Sequence, residues 1–114
     1  MRVAGVEAVI YVSGLSPSRT RARLLERLPL RSTARADGAL VSVDVDLGVA
    51  PEGHRRVLGA GEVAYWPPAP ALVIAVELVK LASPATPLGF VVEGLDGLRQ
   101  LRGTYEAELR PADR

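Results

Sequence analysis

A mainly β fold, a small barrel or sandwich with one longer α-helix plugging it and one short helical turn, is what three features of this chain predict. The segment "ALVSVDVDL" alternates strictly, with Val41, Val43, Val45 and Leu47 facing one way and Ser42, Asp44 and Asp46 the other. Six or seven short runs of this kind are separated by turns rich in Gly and Pro. Only "SRTRARLLERL" carries a helical period over several turns. A length of 114 residues fits one domain, residues 1–114. At that size roughly two-thirds of the unfolded chain's surface can be buried around one core.

Composition narrows the function classes. Hydrophobic residues make up 48% of the chain but only five side chains are aromatic, so the core must be built from Val, Leu, Ile and Ala. The absence of cysteine excludes disulfides, thiol nucleophiles and thiolate metal sites, and is compatible with a cytoplasmic protein. Thirteen of the fourteen basic residues are arginine, Lys80 being the exception, and acids balance them to a net charge of +1. A dedicated nucleic-acid binder is expected to be clearly basic, so no nucleic-acid partner is expected. The start, "MRVAGVEAVIYVSGL", is interrupted by Glu7 and reads as a strand rather than a signal peptide. The longest apolar stretch, Ala69 to Val79, is about half of the ~20 residues a membrane helix needs, so no membrane partner is expected either.

Taken in order, Val3 to Val12 predicts a first strand, ended at Gly14. Ser16 is placed to cap a helix, with Pro17 at its first position, Leu24, Leu25 and Leu28 on one face and Pro29 as its stop. Arg19, Arg23 and Arg27 form a stripe on another face. Without interleaved aromatics to stack on bases, that stripe reads as a solvated face. "RSTARADG" predicts a polar turn before the strand at Val41 to Leu47. Asp44 and Asp46 project side by side from it, which suits a cation. No further carboxylate lies close in sequence, so they read as an outer face unless folding brings Glu62 or His54 to them.

A loop punctuated by Gly59 and Gly61 then leads into a strand from Glu62 to Trp66, ended by Pro67 and Pro68, which cannot donate ladder hydrogen bonds. "ALVIAVELV" predicts a strand buried on both faces in its first half, "ASPATP" a loop, and "LGFVVEGL" another strand. "LDGLRQLRG" makes one or two helical turns with Asp96 as cap and Gly103 as stop. "TYEAELR" closes the fold with Tyr105, Ala107 and Leu109 inward.

The segment Gly61, Glu62, Val63, Ala64, Tyr65, Trp66, Pro67 and Pro68 resembles the Gly-acidic-aliphatic-Ala-Tyr-Trp-Pro pattern of small prokaryotic proteins with a cyclophilin-like fold, the TM1367-like family. The helix ending in "LPL" and the "ASP" before a later strand are similar to it too, so the resemblance runs over nearly the whole chain. It implies a closed, mostly antiparallel cyclophilin-like β-barrel with one helix against an end, and no defined chemistry. The chain departs from the family at "AVELVKLASPATP", which lacks the usual Phe-Gly turn and loop, leaving any pocket walled by that loop more open or absent.

The function expected is a non-catalytic module that binds a small molecule or peptide, with Tyr65 and Trp66 at the rim of a groove and Arg55, Arg56 and Glu62 as polar anchors. The same aromatics suit a purely structural role better, seating the barrel's end while Pro67 and Pro68 turn the corner. The alternative is a peptidyl-prolyl isomerase. "GHRRVLGAGE" is similar to the Phe-His-Arg stretch of genuine cyclophilins, which implies Arg55 or Arg56 as the donor to a twisted amide, though Gly53 replaces the aromatic and Phe90 is the one phenylalanine left for a proline slot. No Gly-x-Ser-x-Gly elbow accompanies the single histidine, His54, and no glycine loop has phosphate-cradling spacing. No catalytic residue, cofactor or metal is therefore assigned, and a homo-oligomer is left open.

Overall fold

The computed structural model describes residues 1–112. Along them run β1 (Arg2–Val3), β2 (Val6–Glu7), β3 (Val9–Val12), α1 (Ser18–Arg27), β4 (Leu30–Ala36), β5 (Leu40–Asp44), β6 (Arg55–Leu58), β7 (Glu62–Trp66), β8 (Ala71–Ala75), β9 (Val79–Glu93), α2 (Leu95–Arg99) and β10 (Gly103–Leu109). The main sheet is antiparallel in the order β2-β1-β10-β4-β5-β8-β7-β9-β3, and β6 pairs with β9 off this path. Its two ends are consecutive pieces of one segment: residues 6–7 pair with β1, and residues 9–12 pair with β9. That segment joins the sheet's edges into a nearly closed barrel, which removes most of the unpaired edge such a sheet would expose.

Residues 1–12 are thus a hairpin and then a strand rather than one strand. Ala4 and Gly5 take positive φ of 50° and 81°, reversing the chain, and Met1 and Ala8 exchange backbone hydrogen bonds of 2.8 Å across the turn. Closure brings β3 hard against β9 at Gly89, where a Cβ would lie 1.8 Å from the Tyr11 carbonyl oxygen. Only glycine fits there.

Alternation sorts the strands as the sequence implies. Val41, Val43, Val45 and Leu47 are all buried in the barrel interior, with Val63, Tyr65, Leu72, Ile74 and Leu88. Asp44 faces outward and pairs with Arg35 at 2.6 Å, while the Asp46 carboxylate accepts the Gly48 N–H at 2.9 Å. β8 is buried on both faces because its other residues, Ala71, Val73 and Ala75, belong to a second apolar cluster outside the barrel. Leu58 of β6 and Leu81 and Ala85 of β9 cover that cluster as a flap.

Three segments depart from the expected elements. "RSTARADG" supplies most of β4, a strand paired along its length with β10 and along part of it with β5. Its arginines form the outer face, with Arg31 opposite Glu108 at 3.0 Å, and its inner positions hold small residues such as Ala34 and Ala36. Arg55–Leu58, expected in a loop, is β6. "ASPATP" lies inside the 15-residue β9, whose prolines, Pro84 and Pro87, are tolerated because the register shifts beside them in both neighbouring pairings. At the helices, Pro17 itself is the N-cap of α1 and the Ser16 hydroxyl donates to Ser13 O instead. α2 is capped by Gly94 rather than Asp96, which pairs with Arg99 at 2.9 Å, and Gly103 opens β10.

Candidate functional site

α1 lies over one end of the barrel and forms with it a half-open cavity of about 400 Å³. The barrel supplies Ile10 and Val12 of β3 together with Val63, Leu72 and Leu109, and the helix supplies Leu24, Leu25 and Leu28. Arg2, Glu7, Glu108 and Arg110 stand among its charged lining residues. The arrangement follows from how the helix is held. Its buried residues are Thr20 and Leu24, and Leu25 keeps 52% of its surface exposed.

Polar tethers do the rest. Pro17 offers no capping side chain, so Glu52 from the loop after β5 caps α1 from outside, its carboxylate accepting the Thr20 N–H and hydroxyl, both at 2.6 Å. The Thr20 hydroxyl holds the Glu52 carboxyl below its ordinary pKa. Glu52 is anchored in turn by its own N–H to the buried Thr86 hydroxyl at 2.9 Å. Arg27 donates to Asp46 O at 2.7 Å and Arg23 reaches Leu47 O at 3.5 Å, so two members of the arginine stripe grip the barrel wall. A helix fixed by its caps and arginines does not need to press all its leucines into the core. The gap under it is the cavity.

The five residues chosen from the sequence are placed elsewhere and do not share one site. Along β7 successive side chains alternate, so Tyr65 points into the barrel, where its hydroxyl accepts the Leu47 N–H at 3.1 Å. Trp66 points out, into the cluster beneath the flap, with Nε1 donating to Ser83 O at 3.2 Å and Oγ at 3.0 Å. Arg55 and Glu62 do meet, at 2.8 Å, and Glu62 also accepts the Gly59 N–H at 3.0 Å, locking the turn between β6 and β7. Arg56 and His54 are exposed. Pro67 to Pro70 make the corner of the β7–β8 hairpin, with Trp66 opposite Ala71. Phe90 packs against Tyr11 with ring centroids 5.3 Å apart and planes tilted by 48°, each residue about half exposed. Among the described residues no group of three or more His, Asp or Glu is placed to hold a metal ion, and no helix is long and apolar enough to cross a membrane.

The fold recurs in a protein of known structure. The solution structure of the hypothetical protein AF2241 from Archaeoglobus fulgidus matches with a TM-score of 0.82 and 22% identity, over 97% of this chain and 91% of that one. No family model matches the chain, and no curated protein does. What is shared is the barrel. Neither the TM1367-like family nor a chemistry comes with it.

Sequence reasoning missed the cavity, though a signal was present. Leu24, Leu25 and Leu28 give α1 a wider apolar face than its seat on the barrel uses.

Proposed function

We propose that this protein is a non-catalytic binder of a small apolar molecule, held between α1 and the barrel end. The observation that carries the reading is the cavity of about 400 Å³ walled by aliphatic side chains from both helix and barrel, with charged groups beside it. At roughly 30 Å³ per water-sized unit of a liquid, it suits a ligand of about a dozen non-hydrogen atoms. Arg55, Glu62 and Trp66 are read as architectural, since their polar atoms are committed to the β6–β7 turn and to Ser83. The isomerase reading has little to support it: the Arg55 guanidinium is already matched by Glu62, Arg56 is exposed with no apolar slot assigned beside it, and Phe90 packs against Tyr11 on the outer wall. A cyclophilin-like, TM1367-like kinship is our reading of the Gly61 to Pro68 motif together with the barrel, and the cytoplasm is the compartment we assign.

Thermal unfolding in the presence of decan-1-ol tests the binding. At a hundredfold excess over Kd a ligand of the folded state alone adds about 2.7 kcal/mol. For a chain of this size that raises Tm by about 10 °C. The variant Leu25→Trp, at a half-exposed position that can carry a large ring into the opening, should keep its fold and lose the response. No rise in the wild-type protein with decan-1-ol or with any ten-carbon amphiphile of different head group would refute the reading.

A further inference from the structure

The charges around the cavity select among apolar molecules. Arg2 is matched by Glu7 in an exposed pair. Glu108 is divided: its Oε2 takes Arg31 Nε at 3.0 Å from outside the cavity, and its Oε1 lies 3.9 Å from Arg110 Nε. Among the described residues, the two carboxylates of the cavity lining, Glu7 and Glu108, thus face the guanidiniums of Arg2 and Arg110 and the Met1 α-ammonium, while Arg31 shares Glu108 from outside, and Arg110 has the longest of the ion-pair contacts. Arg110 lines the cavity next to Leu109, so, among the described residues, positive charge without a full counter-charge borders an aliphatic, half-open space.

We propose that the ligand is an amphiphile with a single carboxylate, its apolar body against Leu25, Val63 and Leu72 and its anionic end at Arg110. This rests on the cavity reading above. One carboxylate supplies the single negative charge that the lining's three cations, Met1, Arg2 and Arg110, lack against Glu7 and Glu108, and it can accept a forked pair of hydrogen bonds from Arg110. A neutral alcohol leaves the excess charge unmet. An amine adds to it, and a dianion would bring its second negative charge against Glu7 and Glu108, both in the cavity lining.

Four molecules with one tail decide the matter: decanoate, decan-1-ol, decylamine and decyl phosphate, titrated below their micellar concentrations and read by calorimetry and by Tm. The expected order has decanoate binding about tenfold or more tighter than the alcohol, the gain typical of one hydrogen bond to a charged group. Decylamine should be the weakest, and added salt should shrink the decanoate advantage. Arg110→Gln, at an exposed position, should remove the decanoate advantage, so that decanoate and decan-1-ol bind with the same affinity. Leu25→Trp should abolish both. Equal binding of decanoate and decan-1-ol, both blocked by Leu25→Trp, would overturn the carboxylate and leave the cavity reading intact. Decylamine or decyl phosphate binding tighter than decanoate, or a decanoate advantage that survives Arg110→Gln, would overturn the carboxylate at this rim. If none of the four binds, the cavity reading falls and the carboxylate with it.

Discussion

Tyr65→Phe isolates one hydrogen bond at the centre of the barrel. The Tyr65 hydroxyl accepts the Leu47 N–H at 3.1 Å, and the two residues keep 1% and 3% of their surface exposed. The substitution preserves the ring and opens a space of one oxygen atom, so packing changes little. The Leu47 N–H loses its acceptor where water cannot replace it. An unpaired buried donor costs about 1–3 kcal/mol, partly offset because the hydroxyl itself no longer has to be desolvated, and a net loss of about 1.5 kcal/mol follows. Unfolding entropy of about 2.1 cal/mol/K per residue converts that loss into a fall in Tm of about 6 °C for this chain. Urea unfolding followed by the emission of Trp66, the sole tryptophan, should show a lower midpoint with an unchanged slope. Tyr105→Phe is the control: its hydroxyl accepts the Arg102 N–H at 3.2 Å in an exposed setting, and the change should stay within about 0.5 kcal/mol. Equal midpoints for wild type and Tyr65→Phe would mean that Leu47 bonds elsewhere, and that the inner face of β5 does not continue to the floor beneath Tyr65.

Two further outcomes test how the barrel closes and how the helix is tethered. Gly89→Ala should cost about 3 kcal/mol or more and fray β3 from β9, seen as rapid amide exchange at Ile10 to Val12, because its Cβ would sit 1.8 Å from the Tyr11 carbonyl oxygen. Glu52 contributes stability that is full above its ordinary pKa of 4.5 and is lost as the pH falls through its lowered native value, since the neutral carboxyl is a weaker acceptor than the carboxylate for the two Thr20 bonds at Oε1; Glu52→Gln should therefore flatten the acid limb of a Tm-against-pH curve and lower Tm at neutral pH.

The parts of the fold that were legible in the sequence are those where burial on one face and water on the other act on every residue. Val41 to Leu47 is such a segment, and its alternation holds residue by residue in the interior. The two-sided burial of β8 was legible as an unbroken apolar run, although what covers its outer face was not. β4 was hidden because its inward positions are small and its outward ones charged, so local pattern resembles a turn; cross-strand partners such as Glu108, 77 residues away, make it a strand. β9 was hidden by Pro84 and Pro87, which argue against a strand unless bulges are known to lie beside them.

The site was less legible than the fold for a related reason. Tyr65 and Trp66 draw the eye because they are rare here, yet adjacency along a strand sends them to opposite faces, one into the interior and one beneath the flap. The cavity instead draws its lining from seven elements, β1, β2, β3, α1, β7, β8 and β10, and its aliphatic walls are ordinary core chemistry. Its existence depends on a balance that no single segment states: α1 is held by Glu52, Arg23 and Arg27, so Leu25 stays half exposed at the opening while Leu28 packs against the core at its wall. A helix anchored through polar contacts at its ends and side can let an apolar guest finish the packing beneath it. The guest's binding energy then adds to the stability of the closed barrel end, which is why a rise in Tm and a loss of that rise in Leu25→Trp speak directly to the architecture as well as to the ligand.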